Sequence, residues 1–350
     1  MAVLDVIVAP ALAPDALNGL ESHLLDAVVT RQTPPVALIY ASSRRCISIG
    51  RYHLYADTAE KRGIGAYRRL TGGRVVGAGE GWLGLALILP GRTALLKEDA
   101  ARLKPDQIMN RYARGLLAGL RAVGLDCFYP GRDAITFERR ELAMCSFETD
   151  RSGALLFESM LAVNRGMEDL VHDLELIDPD GALPCRMYDS ESATTVAREL
   201  KREVAFDELA DAIATGYEGL LGETRRRELT ALETADASRR ALVASGWLND
   251  RVRIAPQSGT IKRNRIAAQL GAIEAAVTLD SDGTIAAVTL SGDFIANSSA
   301  IAELESELVG KRLDLGSVSH AVTKIFGHSE NFFLGAGELS NLVRLIAGVN

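Results

Sequence analysis

The sequence is poor in cysteine and in aromatic residues. Four of its 350 residues are cysteine and only 5% are aromatic. The cysteines show no CxxC spacing and each lies in or beside an apolar stretch, so reduced thiols are expected rather than disulfides. The five histidines lack the spacing of metal ligands. We therefore predict no metal centre formed by these residues.

An excess of positive charge is also absent, because the net charge is -7 at pH 7. A nucleic-acid binder needs a basic surface that neutralises phosphates, so no nucleic-acid partner is expected. No apolar run reaches the length of a membrane span, and the amino-terminal run is interrupted by Asp5 with no basic segment before it. These absences predict a cytoplasmic protein with no membrane partner.

The composition, with 47% hydrophobic and 24% charged residues, is that of a globular chain, and its length favours two domains. Apolar residues recur at helical spacing in some segments and form short β-rich runs in others. Predicted helices include Asp15–Thr30, Pro105–Val123 and Ala205–Leu221, and predicted strands include Trp82–Leu89, Ala134–Phe137, Glu141–Phe147 and Ala154–Val163. We predict an α+β fold with a mixed, mostly antiparallel sheet flanked by helices.

The remaining segments predict how the chain is divided. Val36–Ala41 and Cys46–Ile49 are expected to form a hairpin, and a short helix is expected at residues 56–62. Glu223–Ser245 is predicted to be a charged helix that either bridges two domains or lies on a solvated face of the first. After Trp247, two β-rich runs around Asp280–Gly283 followed by helices predict a smaller α+β domain. The expected domains are residues 1–246 and 247–350.

The stretch Tyr67–Pro90 carries the clearest candidate site. Arg68 and Arg69 come directly before Gly72-Gly73. Glycine lets a ligand approach backbone N–H groups, and arginine supplies donors that suit carboxylate or phosphate. We therefore expect residues 69–76 to form the floor of the main pocket, which would bind a small anionic molecule. The alternative is a tight hairpin with solvated arginines.

Arg68 to Val76, which read RRLTGGRVV, resemble the RR-x-[ST]-G-G-[GR]-A-V signature of lipoate-protein ligases and octanoyl transferases in the biotin/lipoate ligase superfamily. Three more segments resemble family motifs in the family's order. They are Ser48–Arg51 for S-[LI]-G-R, Gly131–Asp133 for G-R-N-D, and Ser291–Phe294 for the G-D-F-F of the small carboxy-terminal domain. The resemblance covers nearly the whole chain.

This resemblance implies a biotin/lipoate ligase-like fold and an acyl-transfer activity. In such ligases ATP, with Mg²⁺, and lipoate or octanoate give an acyl adenylate, which a lysine of a lipoyl carrier domain then attacks. The corresponding substrate-binding positions are Arg69, Thr71, Gly72, Gly73, Arg74, Val75, Gly77, Asp133 and Ser146. A lipoyl domain protein is the implied partner.

The chain departs from the family at the position of the catalytic lysine. The K-[IV]-[SA]-G-[SN]-A segment of the family aligns with Glu141–Ser146, which places Glu141 at the lysine. A later arginine of the family aligns with Glu148, and the family's Y-H-D aligns with Gly77–Gly79. Carboxylates repel the phosphate of an adenylate, so the resemblance leaves catalytic activity open. A register shift of one residue would bring Arg140 to the lysine position.

Thiol chemistry offers a second route to acyl transfer. Cys127 precedes Gly131–Asp133, where some octanoyl transferases carry a cysteine nucleophile, and Arg132 or His53 could activate it if the fold brought them close. The alternative for Cys127 is a small buried hydrophobic residue. Three hypotheses therefore stand: an acyl-protein ligase, a Cys127-dependent transferase, and a catalytically impaired paralogue that binds a lipoyl domain or an acyl chain.

Overall fold

The computed structural model describes residues 3–54, 65–96, 103–170, 188–249 and 260–349. The predicted helix at 56–62 lies outside these ranges. The strands are β1 Leu4–Leu12, β2 Val36–Ser42, β3 Cys46–Ile49, β4 Gly65–Arg68, β5 Val76–Ala78, β6 Trp82–Leu89, β7 Ala134–Phe137, β8 Arg140–Thr149, β9 Leu155–Ala162, β10 Thr224–Arg226, β11 Thr260–Ala267, β12 Ala272–Leu279, β13 Ile285–Gly292, β14 Ile295–Ala296 and β15 Phe333–Leu334. The helices are α1 Pro14–Val29, α2 Pro105–Ala122, α3 Val196–Leu200, α4 Phe206–Leu221, α5 Ala231–Asn249, α6 Ser298–Leu308, α7 Leu315–Phe326 and α8 Leu339–Ala347.

The largest sheet contains seven strands in the order β10-β1-β2-β6-β9-β8-β7. β1 pairs in parallel with β10 and β2, and the other neighbours in this sheet are antiparallel. Helices α2 and α4 pack on one face and α1 packs on the other. This arrangement confirms the predicted α+β class with a mixed, mostly antiparallel sheet.

The predicted hairpin of β2 and β3 is wrong. β2 is a central strand of the large sheet, where β1 and β6 occupy both of its edges. β3 belongs to a second, three-stranded sheet, in which it pairs with β4 and β5. The polar residues after β2 therefore carry the chain from one sheet to the other.

The candidate stretch lies in this second sheet. β3 pairs in parallel with β4 and antiparallel with β5, so β4 and β5 lie on opposite edges of β3. The residues between them cross from one edge to the other and do not form the tight hairpin of the alternative interpretation. We call the segment Arg69–Arg74 the glycine turn.

The charged segment before Trp247 was predicted as one helix and contains two elements. Thr224–Arg226 forms the edge strand β10 beside β1. Helix α5 then packs against α1, with an ion pair of 2.6 Å between Arg240 and Asp26 and with Ala237 buried at the contact. The described side chains of α5 therefore lie against α1, and the role of this helix between two domains stays a prediction.

The carboxy-terminal residues build a separate apolar cluster. β11, β12 and β13 form an antiparallel sheet, whose β12–β13 pair includes the predicted hairpin, and α6, α7 and α8 pack with it. Tyr52 also contributes to this cluster. We retain the division at residue 247 as a proposal. None of the described helices is both long and apolar enough to cross a membrane.

Candidate functional site

The guanidinium of Arg69 holds the glycine turn together from inside. Its Nη1 donates to the carbonyl and hydroxyl oxygens of Ser48 at 2.8 and 3.0 Å. Its Nη2 donates to the carbonyls of Gly72 at 3.0 Å and Arg74 at 2.7 Å. Arg69 is only 1% exposed. Both Nη groups are therefore engaged with the protein's own oxygens, and the binding of an anion by Arg69 stays a prediction.

Arg68 has a similar internal role. Its Nη1 donates to the carbonyls of Gly50, Arg51 and His53 at 3.3, 3.0 and 2.6 Å, and the residue is buried. These bonds tie the end of β4 to the loop after β3. The paired arginines thus organise backbone carbonyls whose positions could not be predicted from residue types.

The two glycines of the turn allow close contact with the chain's own carboxy-terminal segment. The Gly73 N–H donates to the Phe294 carbonyl at 2.7 Å, with Gly73 at a φ of +88°. A Cβ on Gly72 would lie 2.2 Å from the Phe294 carbonyl oxygen. Tyr52 stacks on the Phe294 ring with centroids 4.3 Å apart. Glycine is therefore required here by Phe294 rather than by an exposed ligand.

That residues 69–76 form the floor of the main pocket stays a prediction. Leu70 is half-buried and the other residues of this segment are buried beneath neighbouring chain. An open groove of about 840 Å³ lies elsewhere, between Arg151 and helix α6. Ligand entry at the glycine turn would require the segment around Phe294 to move.

Arg74 forms the centre of a buried ionic cluster. Its Nε and Nη2 donate to the two carboxylate oxygens of Asp133 at 2.7 and 2.9 Å. Its Nη1 donates to Oε2 of Glu141 at 2.8 Å. All three residues are at most 8% exposed. Burial raises the pKa of Asp133, and the Arg74 cation opposes that shift. Among the predicted site residues, Arg74, Asp133 and Glu141 are the set whose side chains meet.

The backbone of Glu141 also makes two hydrogen bonds that fix this residue at the start of β8. Its N–H donates to the Ser192 carbonyl at 2.7 Å, and its carbonyl accepts from the Thr194 N–H at 2.9 Å. The neighbouring Arg140 instead pairs with Glu199 at 2.9 Å. Glu141, and not Arg140, therefore contacts Arg74 of the glycine turn, and its equivalence to the family lysine stays a prediction.

Thr71 and Ser146 contribute to the same region through backbone contacts. The Thr71 N–H donates to Oε2 of Glu158 at 3.2 Å. The Ser146 hydroxyl donates to the Gly72 carbonyl at 3.0 Å. Both residues are buried, so they fix the conformation of the glycine turn.

Val75 and Gly77 lie where the chain leaves the turn. The Val75 carbonyl accepts a hydrogen bond from the Tyr188 hydroxyl. A Cβ on Gly77 would lie 2.7 Å from the Trp82 ring. The structure therefore gives Gly77 a packing role beneath Trp82, and no exposed surface for a substrate.

Glu148, at the position of a family arginine, joins the two parts of the chain. Its Oε1 accepts from the Ser298 N–H at 2.9 Å, at the first turn of α6. A carboxylate at a helix amino terminus satisfies an orphan donor and complements the helix dipole. Burial raises the pKa of Glu148 to about 7, while Arg51 and the Ser298 contacts oppose that shift.

Cys127 does not have the surroundings of a nucleophile. It is 5% exposed and belongs to the apolar core beneath the large sheet. Burial, together with the nearby Asp126, raises its pKa to about 12, so little thiolate forms at neutral pH. His53, which was considered as an activating base, lies 3.1 Å from Asp293 and 3.2 Å from the Gly73 carbonyl.

Sequence reasoning missed two buried acids beneath the glycine turn. Glu21 is 0% exposed and Glu158 is 2% exposed. Their positions gave a signal, because Glu21 shares the apolar side of α1 with Leu17 and Leu24, and Glu158 lies in a strand that is apolar apart from it and Ser159. A charged residue at a core position points to a specific buried partner.

The chain is similar to a known protein family and to an octanoyltransferase. Residues 17–218, more than half of the chain, match the family described as Lipoyl protein ligase A/B catalytic domain. The octanoyltransferase LipM of Exiguobacterium sp. is 25% identical over 236 residues, which cover 59% of this chain and 82% of LipM.

Solved structures support the fold assignment. LipL1 of P. falciparum in complex with lipoate is 12% identical, and the match covers 99% of each chain with a TM-score of 0.68. A lipoate-protein ligase A bound with ATP is 17% identical, with a TM-score of 0.55 over 72% of this chain and 100% of that one. A bipartite lipoate protein ligase of Thermoplasma acidophilum gives 17% identity and a TM-score of 0.56 over 72% of this chain and 98% of that one.

Proposed function

Because the chain belongs to the Lipoyl protein ligase A/B catalytic domain family, we propose that it acts on lipoate or a related acyl group such as octanoate. In the proposed reaction a carboxylate oxygen of the acid attacks the α-phosphorus of ATP, and pyrophosphate leaves. A lysine amine of a lipoyl carrier domain then attacks the acyl carbonyl, AMP leaves with the electrons of the broken bond, and the amine proton passes to solvent. The family match over residues 17–218 is the observation that carries this proposal.

Arg74 is the cation of this chain that best fits the first step. A forming adenylate concentrates negative charge that fixed positive groups stabilise in a water-poor site. Arg74 approaches within 2.8 Å of Glu141, the residue that the sequence aligns with the family lysine, which supports this role for its guanidinium. Glu141 then acts as a counter-ion that positions Arg74. A ligand would have to compete with Glu141 for the Nη1 donor.

The donor set fits a dedicated Mg²⁺ site poorly. Asp133 and Glu141 direct three of their four carboxylate oxygens at Arg74, whose charge would repel a divalent cation. No cluster of three or more metal-ligating residues exists in the part of the chain that the structure describes. We therefore assign Mg²⁺ no protein ligand here and derive no step through it.

The same cluster favours a second candidate function, which is binding without turnover. Two carboxylates surround one guanidinium, and ionised carboxylates repel an adenylate phosphate. A chain of this kind could hold an acyl acid or a lipoyl domain and fail to activate the acid. The thiol route receives less support, because Cys127 is buried with a raised pKa.

Mass spectrometry of a lipoyl domain separates these candidates. The lipoyl domain is incubated with the protein, ATP, Mg²⁺ and either lipoate or octanoate, and a variant domain with its acceptor lysine changed to arginine is the control. A lipoyl or octanoyl mass increase on the unmodified domain alone supports ligation. Binding of lipoate by calorimetry without any mass increase supports the second candidate. Failure of both measurements would overturn the proposal.

A further inference from the structure

Glu21 and Glu158 meet beneath the glycine turn, where only one of their four carboxylate oxygens accepts a hydrogen bond of normal geometry from the described residues. Oε2 of Glu158 accepts from the Thr71 N–H at 3.2 Å. Glu158 lies within hydrogen-bonding reach of Glu21, which also approaches Tyr40. Among the described residues, no donor makes a hydrogen bond of normal geometry to either oxygen of Glu21 or to Oε1 of Glu158. Two buried carboxylates side by side would leave these oxygens unsatisfied.

If both acids were ionised, this region would hold two negative charges and only the one positive charge of Arg69 among the described residues. Arg69 is the cation that acts on both acids, and it opposes the rise in the pKa of each. The other groups that face Glu21 are the Tyr40 hydroxyl and, through Tyr40, the Tyr67 hydroxyl at 3.5 Å. Burial raises the pKa of both tyrosines, so they remain neutral. Two ionised acids beside one cation would bury a net negative charge, which is costly in an apolar region.

We propose that Glu21 and Glu158 share one proton and that this carboxyl pair positions the glycine turn. A single proton lets one acid donate to the other, which satisfies oxygens on both side chains and restores a neutral group of Arg69, Glu158 and Glu21. Glu158 is the ionised partner because it accepts the Thr71 amide. Glu21 is the protonated partner because no backbone donor reaches it among the described residues.

The directions of the pKa shifts agree with this assignment. Burial raises the pKa of Glu21 well above its ordinary value, and the adjacent Glu158 raises it further. Burial also raises the pKa of Glu158, but Arg69 and the Thr71 contacts oppose that rise. The proton therefore resides mainly on Glu21.

The role of this carboxyl pair in substrate binding rests on the function proposed above. Glu158 holds the Thr71 amide, and Glu21 holds Glu158 from helix α1, so the pair connects α1 and β9 to the turn. Arg69 braces the carbonyls of the same turn and is compensated by Glu158. The underside of the turn is thus electrically neutral. An acyl chain packed there would meet no uncompensated charge.

Infrared spectroscopy tests the shared proton directly. At about pH 9, roughly two units above the pKa of Glu148 of about 7, the native protein should retain a carbonyl band of a protonated carboxyl group. The band should disappear in Glu21→Gln and persist in the matched control Glu148→Gln. Absence of the band from the native protein, or its persistence in Glu21→Gln, would overturn the proposal.

Calorimetric binding of lipoic acid tests the positioning role. Glu21→Gln keeps a donor for Glu158 and should bind lipoic acid within about threefold of the native affinity, whereas Glu158→Leu should bind about tenfold or more weakly. Glu21→Leu should fall between them, and circular dichroism should show all three folded. Equal affinity in Glu158→Leu and the native protein would refute the positioning role. If the native protein neither binds lipoic acid nor modifies a lipoyl domain, the proposed function fails, while the infrared band still decides whether the proton is shared.

Discussion

Nη1 of Arg74 lies 2.8 Å from Oε2 of Glu141, across 67 residues of sequence. The residue that the sequence aligns with the family lysine is therefore an acid that pairs with an arginine of the same chain. The same guanidinium binds both oxygens of Asp133. Arg74 compensates both buried carboxylates, so its removal would leave two buried acids without a counter-charge.

Removal of Arg74 should strongly destabilise the protein. Arg74→Met leaves Asp133 and Glu141 buried beside each other, and we expect a loss of about 3 to 5 kcal/mol in the free energy of unfolding by urea. The triple variant Arg74→Met, Asp133→Asn, Glu141→Gln should recover much of that loss, since it leaves no buried charge. Arg121→Met is the control: its pair with Asp126 is exposed, so it should cost less than about 1 kcal/mol. A small effect of Arg74→Met would show that the cluster is not energetically coupled.

Local patterns predicted much of the fold. The apolar run of β6 and the four-residue repeat of α2 are properties of contiguous sequence, and both elements lie close to their expected bounds. Strand pairing was less predictable, because β2 and β3 are close in sequence but find their partners in different sheets. Pairing depends on distant strands that compete for the same edges, and no short window contains that information.

The sequence indicated candidate site residues but could not predict the contacts that they make. Adjacent arginines before two glycines suggested a ligand site, but the carbonyls that Arg68 and Arg69 bind come from several separate residues. The contact of Gly73 with Phe294 spans more than two hundred positions. Residue types alone cannot distinguish an arginine that binds a ligand from one that binds its own backbone.

The stability of the protein should fall as the pH rises from about 4.5 to 7 because of Glu148. Its pKa is about 7 in the fold and 4.5 in the reference state, so the folded protein binds more protons in this window and the slope is negative. The shift of about 2.5 units corresponds to roughly 3 kcal/mol as an order of magnitude. Glu148→Gln keeps an acceptor for Ser298 and should remove this part of the slope, as measured by urea unfolding at several pH values. An unchanged slope would contradict the assignment.

Gly72→Ala should disrupt the contact between the glycine turn and the carboxy-terminal segment. The new Cβ would lie 2.2 Å from the Phe294 carbonyl, where backbone must move. We expect a lower thermal midpoint, with a loss of about 2 kcal/mol or more, and faster proteolysis within residues 247–350. Gly219→Ala, in helix α4 with open space around it, is the control and should be neutral or stabilising by up to about 1 kcal/mol. Equal behaviour of the two variants would refute the close approach.

Cys127 should be dispensable for any acyl transfer. Its thiol is buried and its pKa is raised to about 12, so native protein at neutral pH should resist alkylation by iodoacetamide. Cys127→Ala should keep the lipoyl-domain modification of the unchanged protein. Loss of transfer in folded Cys127→Ala, together with rapid alkylation of the native thiol, would instead establish the thiol route.

Glu141→Lys should increase adenylate formation, measured as pyrophosphate exchange with ATP and lipoate. With all groups ionised, the substitution changes the Arg74, Asp133 and Glu141 cluster from a net charge of -1 to +1, so the site would attract the forming phosphate. The gain should be partial, because Glu148 still occupies another family cation position and Phe294 still covers the glycine turn. Glu141→Gln, which frees Nη1 of Arg74 without adding a cation, should give a smaller gain.

The matched control for this reversal is Glu138→Lys, because Glu138 is an exposed acid whose ion pair with Arg140 lies outside the cluster. It changes the net charge of the protein equally and should leave exchange at the native level, which excludes long-range attraction of ATP as the cause. We expect the native protein to show little or no exchange. Rapid exchange by the native protein would mean that Arg74 supplies the required cation despite its two carboxylates, and Glu141 would then be its positioning partner rather than an obstacle to catalysis.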